Sequence, residues 1–231
     1  MALPLLPRTN ISTTPSGGFY VIPTTKNTLI HVNANDLANN TAQIGPAWVK
    51  NGTITFNNGG LGGLSSVGPF SDSNYLSLPT SNPANVNVAP ITVVMIINDT
   101  SITANQGVFE TGTYGSGGYG LFVANSDGNA FAPYFSNGTQ PIGTTVTTGV
   151  VHVLFTGIDT SGVVYAQVDN GSLATASGGT LTAGTTNTFI GRYTSTGFSF
   201  NGLVYELMIS TDAPSTAAFT ALYNKIVANG G

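Results

Sequence analysis

The sequence contains no cysteine, which removes disulfide frameworks, thiolate metal sites and a catalytic thiol, and leaves the redox compartment open. Charge is almost as scarce. Lys, Arg, Asp and Glu make up 6% of the 231 residues, against about 25% in an average soluble protein, so the surface must be built from Thr, Ser, Asn and Gly. The five cations, Arg8, Lys26, Lys50, Arg192 and Lys225, are scattered, and the formal net charge is −4. Nucleic-acid binding needs a clustered basic face, so nucleic acid is not an expected partner. No apolar run approaches the ~20 residues of a membrane helix; the longest, Ile91 to Ile97, is strand-sized, and no membrane insertion is expected. The opening MALPLLPRTN lacks the basic start and long apolar stretch of a secretory signal. With only His31 and His152 and no HxH or HExxH spacing, neither a metal nor any other cofactor is expected.

What is present is a succession of short β-rich runs separated by Gly, Asn, Asp and Pro, the pattern of an antiparallel sandwich rather than of βαβ units. Strands are predicted at 29–32, 53–57, 75–78, 91–97, 108–111, 120–124, 130–136, 150–158, 163–169, 188–192 and 203–209. Asn51-Gly52, Asp127-Gly128, Asn137-Gly138 and Asn170-Gly171 supply the positive φ of tight turns. Two hairpins follow, one around Asp127-Gly128 and one around Asn170-Gly171, with Ser172 to Ala176 returning. The C-terminus alone offers a helix: Phe219, Leu222, Tyr223 and Ile226 form one apolar stripe, after a cap at Ser215 and before a stop at Asn229-Gly230. Residues 1–22, broken by Pro4, Pro7 and Pro15 and by Gly17-Gly18, read as an extended arm. The expected organisation is this arm, 1–22, followed by one domain, 23–231.

The order of motifs resembles a known family. FSDSNYLSLP at 70–79 is similar to the turn and "YLxLP" strand of laminin-G-like domains, and the 91–97 run resembles the strand after it. Gly118 to Val123 resembles "GYxLxV", Val151 to Asp159 the "WHHVAVTYD" strand, and Val163 to Gly171 "VxLYVDG". Phe189 to Arg192 and Phe200 to Leu207 are similar to "IGR" and "FxGxIDEVxIY". The resemblance to the laminin-G-like and concanavalin A-like lectin-glucanase group runs over roughly residues 29–226. It implies an all-β, concanavalin A-like jelly-roll sandwich of two antiparallel sheets with one short C-terminal helix, and a face available to ligands. The sequence departs from the pattern at Val150-Val151, where tryptophan is usual, and at Tyr205, where the family commonly has Asp; the second departure argues against a family-type calcium site.

Retaining glycosidases need two carboxyl groups about 5–5.5 Å apart, and a strand delivers these at period two. Glu110 has Val108 and Gly112 at that spacing, Glu206 has Val204 and Met208, and the aspartates are isolated, so no catalytic residue is assigned. A lyase would draw on His152, Arg192 and Tyr193, but one arginine is little cationic surface for a polyanion. The glycine-rich stretch 112–120 lacks the lysine of a phosphate loop and reads as a flexible rim loop carrying Tyr114 and Tyr119. These two, with Tyr134 and Trp48, are the ligand-binding candidates, each ring a surface for sugar stacking. The leading expectation is a non-enzymatic virion structural or adhesion protein of a bacteriophage, decorating a capsid or associated with a tail. It would dock by its arm onto other virion proteins or copies of itself and contact cell-surface carbohydrate. The alternative is an extracellular lectin module.

Overall fold

The computed structural model describes residues 22–57, 65–136, 138, 140–194 and 197–230. The expected arm lies outside them except for Ile22. In chain order the elements begin with β1 (Thr28–Asn33), α1 (Ala34–Asn39), β2 (Val49–Asn51), β3 (Thr55–Asn57), β4 (Ser66–Gly68), β5 (Tyr75–Leu78) and β6 (Ile91–Asp99). They continue with β7 (Gln106–Thr113), β8 (Gly117–Ala124), β9 (Ala130–Phe131), β10 (Tyr134–Phe135) and β11 (Val151–Ile158). The last are β12 (Val164–Val168), β13 (Ala174–Ala176), β14 (Thr188–Ile190), β15 (Gly202–Ser210) and α2 (Thr216–Gly230).

The strands form two antiparallel sheets, as the sequence predicts. One runs β13-β12-β11-β6-β15-β4-β3, with β1 also paired to β15. The other runs β10-β8-β7-β14-β5-β2, with β9 also paired to β8. Every predicted strand is present, although the 130–136 run is split in two around Ala132-Pro133, where proline has no N–H to give a ladder. Both predicted hairpins form, β8 to β9 and β12 to β13. In the second, the positive φ falls on Asp169 (52°) instead of Gly171.

The core shows why 91–97 is apolar without alternation. Ile91, Val93, Met95 and Ile97 of β6 point between the sheets, where they join Phe109, Leu121, Leu154 and Leu207. Val94 and Ile96 point the other way, into a second cluster with Val153, Phe155 and Met208 that α2 covers with Phe219 and Ile226. Phe155 and Phe219 stack with ring centroids 5.1 Å apart. One sheet is therefore buried on both faces, and every residue of β6 is buried. Ser215 caps α2 as predicted, its Oγ accepting the Ala218 amide at 3.1 Å. Ile22 also lies in this second cluster, fully buried, and its N–H donates to Glu206 Oε1 at 2.9 Å. At that residue the end of the expected arm packs on the chain's own sheet.

The prediction that only the C-terminus is helical is corrected by α1. Six residues are too few to show a 3.6-residue period, but the start is marked by a reciprocal cap. Asn33 Oδ1 accepts the Asp36 amide and Asp36 Oδ2 accepts the Asn33 amide, both at 3.0 Å. Asn33→Ala is expected to lower stability by about 1 kcal/mol, read as a lower urea midpoint.

Candidate functional site

The outer face of the second sheet has no helix over it among the described residues. Period-two alternation places Tyr119, Leu121 and Val123 of β8 in the core, so Gly120 and Phe122 face outward. In register beside Gly120 stand Glu110 of β7 and Tyr134 of β10. The segment after β14 folds back over this face: Gly191 N–H donates to Val108 O and Gly107 N–H to Phe198 O. A cleft of about 380 Å³ opens between the two, lined by Thr113, Tyr114, Phe122, Gln140, Tyr193, Thr194 and Phe198.

Two glycines make room for the rings. A Cβ on Gly120 would stand 2.5 Å from Tyr134 Cε1, and one on Gly107 would stand 2.1 Å from Tyr193 Cδ2. Tyr134 and Tyr193 thus lie directly against backbone. Their centroids are 5.7 Å apart, Tyr193 is 5.2 Å from Phe122 and 6.1 Å from Phe198, and Tyr114 meets Tyr134 edge-on at 5.2 Å.

Glu110 fastens this assembly from below. Its side chain has no exposed surface and accepts the Tyr134 hydroxyl at 2.7 Å, the Thr194 hydroxyl at 2.6 Å and the Thr194 amide. Burial pushes its carboxyl above the usual range, against the pull of these donors. Burial likewise holds the Tyr134 and Tyr193 phenols well above their ordinary value, so both remain protonated near neutrality. Arg192 props the returning segment from the far side. It lies over Tyr75 (4.5 Å) and Phe189 (5.2 Å) and donates to the carbonyls of Asp72, Tyr193 and Thr194.

Of the four rings expected to meet a ligand, only Tyr114 is open to the surface, with 49% of it exposed. Trp48 and Tyr119 have none; both belong to the core between the sheets, and Tyr119 OH donates inward to Ala84 O at 2.7 Å. Tyr134 is also fully buried and acts as the backing for Tyr114. The stretch 112–120 is not a flexible rim loop. It is the tight β7–β8 hairpin, and its glycines serve close packing: a Cβ on Gly118 would fall 1.5 Å from Thr111 O. Phe122, Tyr193 and Phe198 were not singled out as stacking residues. The outward position of Phe122 follows from alternation within β8, but no local signal places Tyr193 and Phe198 beside it.

The two glutamates that sequence reasoning weighed lie apart, Glu110 on the outer face of one sheet and Glu206 on β15 of the other. Glu206 Oε1 is 2.5 Å from His31 Nε2, both side chains buried. The groups acting on Glu110 are hydroxyls and amides, with no second carboxylate among them. Nor are His152, Arg192 and Tyr193 brought together, since His152 belongs to β11. Its Nε2 accepts the Thr147 amide at 3.1 Å, so Nδ1 carries the proton and donates to Asp169 Oδ2 at 2.8 Å. The Thr147 hydroxyl is 2.9 Å from the same Nε2, an alignment of hydroxyl, imidazole and carboxylate. Through its amide and hydroxyl Thr147 is tied to the ring, and so to β11. Among the described residues no group of three or more His, Asp or Glu side chains is placed to hold a metal ion, and no helix is long and apolar enough to cross a membrane.

No protein-family model matches the sequence, and no curated protein matches it either. Solved structures do match in fold. Domain 4 of AbnA, an extracellular GH43 arabinanase from Geobacillus stearothermophilus, in complex with arabinotriose, aligns with a TM-score of 0.65 and 18% identity, over 85% of this chain and 98% of that one. The binding domain of botulinum neurotoxin DC, in complex with SialylT, aligns at 0.61 and 9% identity, over 87% of this chain and 51% of that one. Trypanosoma rangeli sialidase in complex with sialic acid aligns at 0.59 and 12% identity, over 94% of this chain but 37% of the enzyme. At these identities the likeness is one of fold alone: a sandwich of two antiparallel β-sheets.

Proposed function

We propose that this chain is a glycan-binding domain that seats a sugar ring in the cleft between Tyr114, Phe122, Tyr193 and Phe198. The observation that carries the reading is an aromatic cleft on a rigid floor. Sugars offer C–H faces to aromatic rings and hydroxyls to polar side chains. Here the rings supply the walls, and Thr113 and Gln140 supply a hydroxyl and an amide at the rim. The volume is near the lower end of small-molecule sites, about 300–1,000 Å³. Fold neighbours solved with bound glycans, the arabinotriose complex foremost, support the same reading. The role is binding without catalysis, because the one carboxylate near the cleft, Glu110, has no surface with which to reach a glycosidic oxygen.

A glycan array followed by calorimetric titration tests this. Tyr114→Ala is expected to weaken binding about tenfold, some 1.4 kcal/mol, without lowering the melting temperature, since the ring is half exposed. An unchanged affinity would remove the cleft from consideration.

The setting suggested by the neutral polar surface is extracellular. A virion role, with capsid or tail proteins or self-association as partners, depends on the arm at 1–22. Ile22 folding onto its own sheet weakens that dependence, and the neighbours described above are binding domains and enzymes.

A further inference from the structure

Resting on the glycan reading, we infer that the cleft selects neutral sugars and discriminates against sialylated and uronic-acid glycans. A carboxylated sugar buried against aromatic walls needs a cation or several free N–H donors to replace its lost hydration. The described residues place neither at the cleft. Its lining is Thr113, Tyr114, Phe122, Gln140, Tyr193, Thr194 and Phe198, without a charge. The Thr194 amide, which faces the site from the returning segment, is already given to Glu110.

The cations are elsewhere. Arg192 is turned toward β5 and β14, between two rings and three carbonyls. Lys50 sits on β2, four strand positions from β8, about 19 Å at the usual spacing, and its ammonium bonds Ala38 O at 2.6 Å. Lys26 interacts with Asp212 beyond β15, and Lys225 is on α2, against the other sheet. Arg8 lies outside the described residues. What does stand beneath the cleft is a carboxyl group, Glu110, and not a cation.

The chain therefore parts company with those fold neighbours whose bound ligands carry sialic acid. Its hydroxyl and amide rim suits a neutral pentose or hexose oligosaccharide.

The test uses matched pairs differing by the acid: lactose against 3′-sialyllactose, and galactotriose against trigalacturonate, with arabinotriose as a further neutral probe. The full chain is titrated with each at low and high salt. The neutral member of a pair is expected to bind at least about tenfold more tightly at both salt concentrations, because the penalty is the lost hydration of a carboxylate against apolar walls. Gln140→Lys is expected to close the gap by raising affinity for the acid. Equal or tighter binding of the acidic member, lost in Tyr114→Ala, would overturn the selectivity and leave the glycan site standing. Failure of every probe, with an array that is also blank, would overturn the glycan reading itself.

Discussion

Gly107→Ala is expected to abolish measurable glycan binding and to cost about 1–3 kcal/mol of stability, the usual penalty for overfilling a packed site. The backbone at Gly107 needs no special conformation, since its φ is not positive. What forbids a side chain is Tyr193. The new methyl would lie 2.1 Å from Cδ2, 2.9 Å from Cε2 and 3.0 Å from Cγ of the ring. Tyr193 is 8% exposed and hemmed in by Phe122, Tyr134 and Phe198, so the ring must leave its seat, taking one wall of the cleft with it. The double variant Gly107→Ala/Tyr193→Ala separates the two effects. If the clash acts through Tyr193, the double variant is more stable than the sum of the single changes allows, yet still does not bind. Additive stabilities would refute this account of the glycine.

Stability is expected to fall as the pH rises from the ordinary Asp value of 3.8 to about 6, because Asp99 is buried. Its side chain is fully enclosed at the end of β6. Desolvation lifts its pKa to about 6, although the Ser101 amide, the Gln106 side chain and the neighbouring His152 oppose the rise. In that window the folded chain holds a proton that the unfolded chain releases. The stabilisation is complete below the unfolded value and is lost through the folded one, a difference of about 3 kcal/mol. Burial raises Glu110 and Glu206 too, and they act in the same sense. Asp159 and Asp212 act oppositely. Slight burial pulls them up, but hydrogen bonds, to Val163 and Tyr165 for one and to Thr25 and Asn27 for the other, hold them below the usual value. Their contribution is present above pH 3.8 and disappears in stronger acid. Urea midpoints for the wild type should therefore be higher near about pH 5 than near about pH 8. Asp99→Asn, which keeps the shape without the charge, should flatten much of that slope and be the more stable protein at the alkaline end. A wild-type midpoint that climbs steadily from pH 5 to pH 8 would contradict the assignment.

These results bear on what the chain discloses before it is folded. The strands of the central ladder were legible because runs such as Ile91 to Ile97 and Val151 to Ile158 are long and apolar enough to state their own conformation. β2 and β4, of three residues each, and α1, of six, are too short for any period to register. The site was legible only in part. Tyr114 announces itself by its place in a turn. Tyr119 was misjudged as a surface ring, although alternation with Leu121 and Val123 already puts all three on one face. Trp48 carries no such pattern, and its burial is a tertiary fact. The cleft joins 113–114, 122, 140, 193–194 and 198, and that union depends on contacts distant in sequence, Glu110 to Thr194 and Arg192 to Asp72.

The distribution of lysines has a practical meaning. Lys26, Lys50 and Lys225 are solvent-accessible and all stand away from Tyr114, on the helix-covered side or at the distant edge. Chemical coupling through these three lysines would leave the aromatic mouth unobstructed, so a biosensor surface that tethers the chain by them should keep its capacity for saccharides.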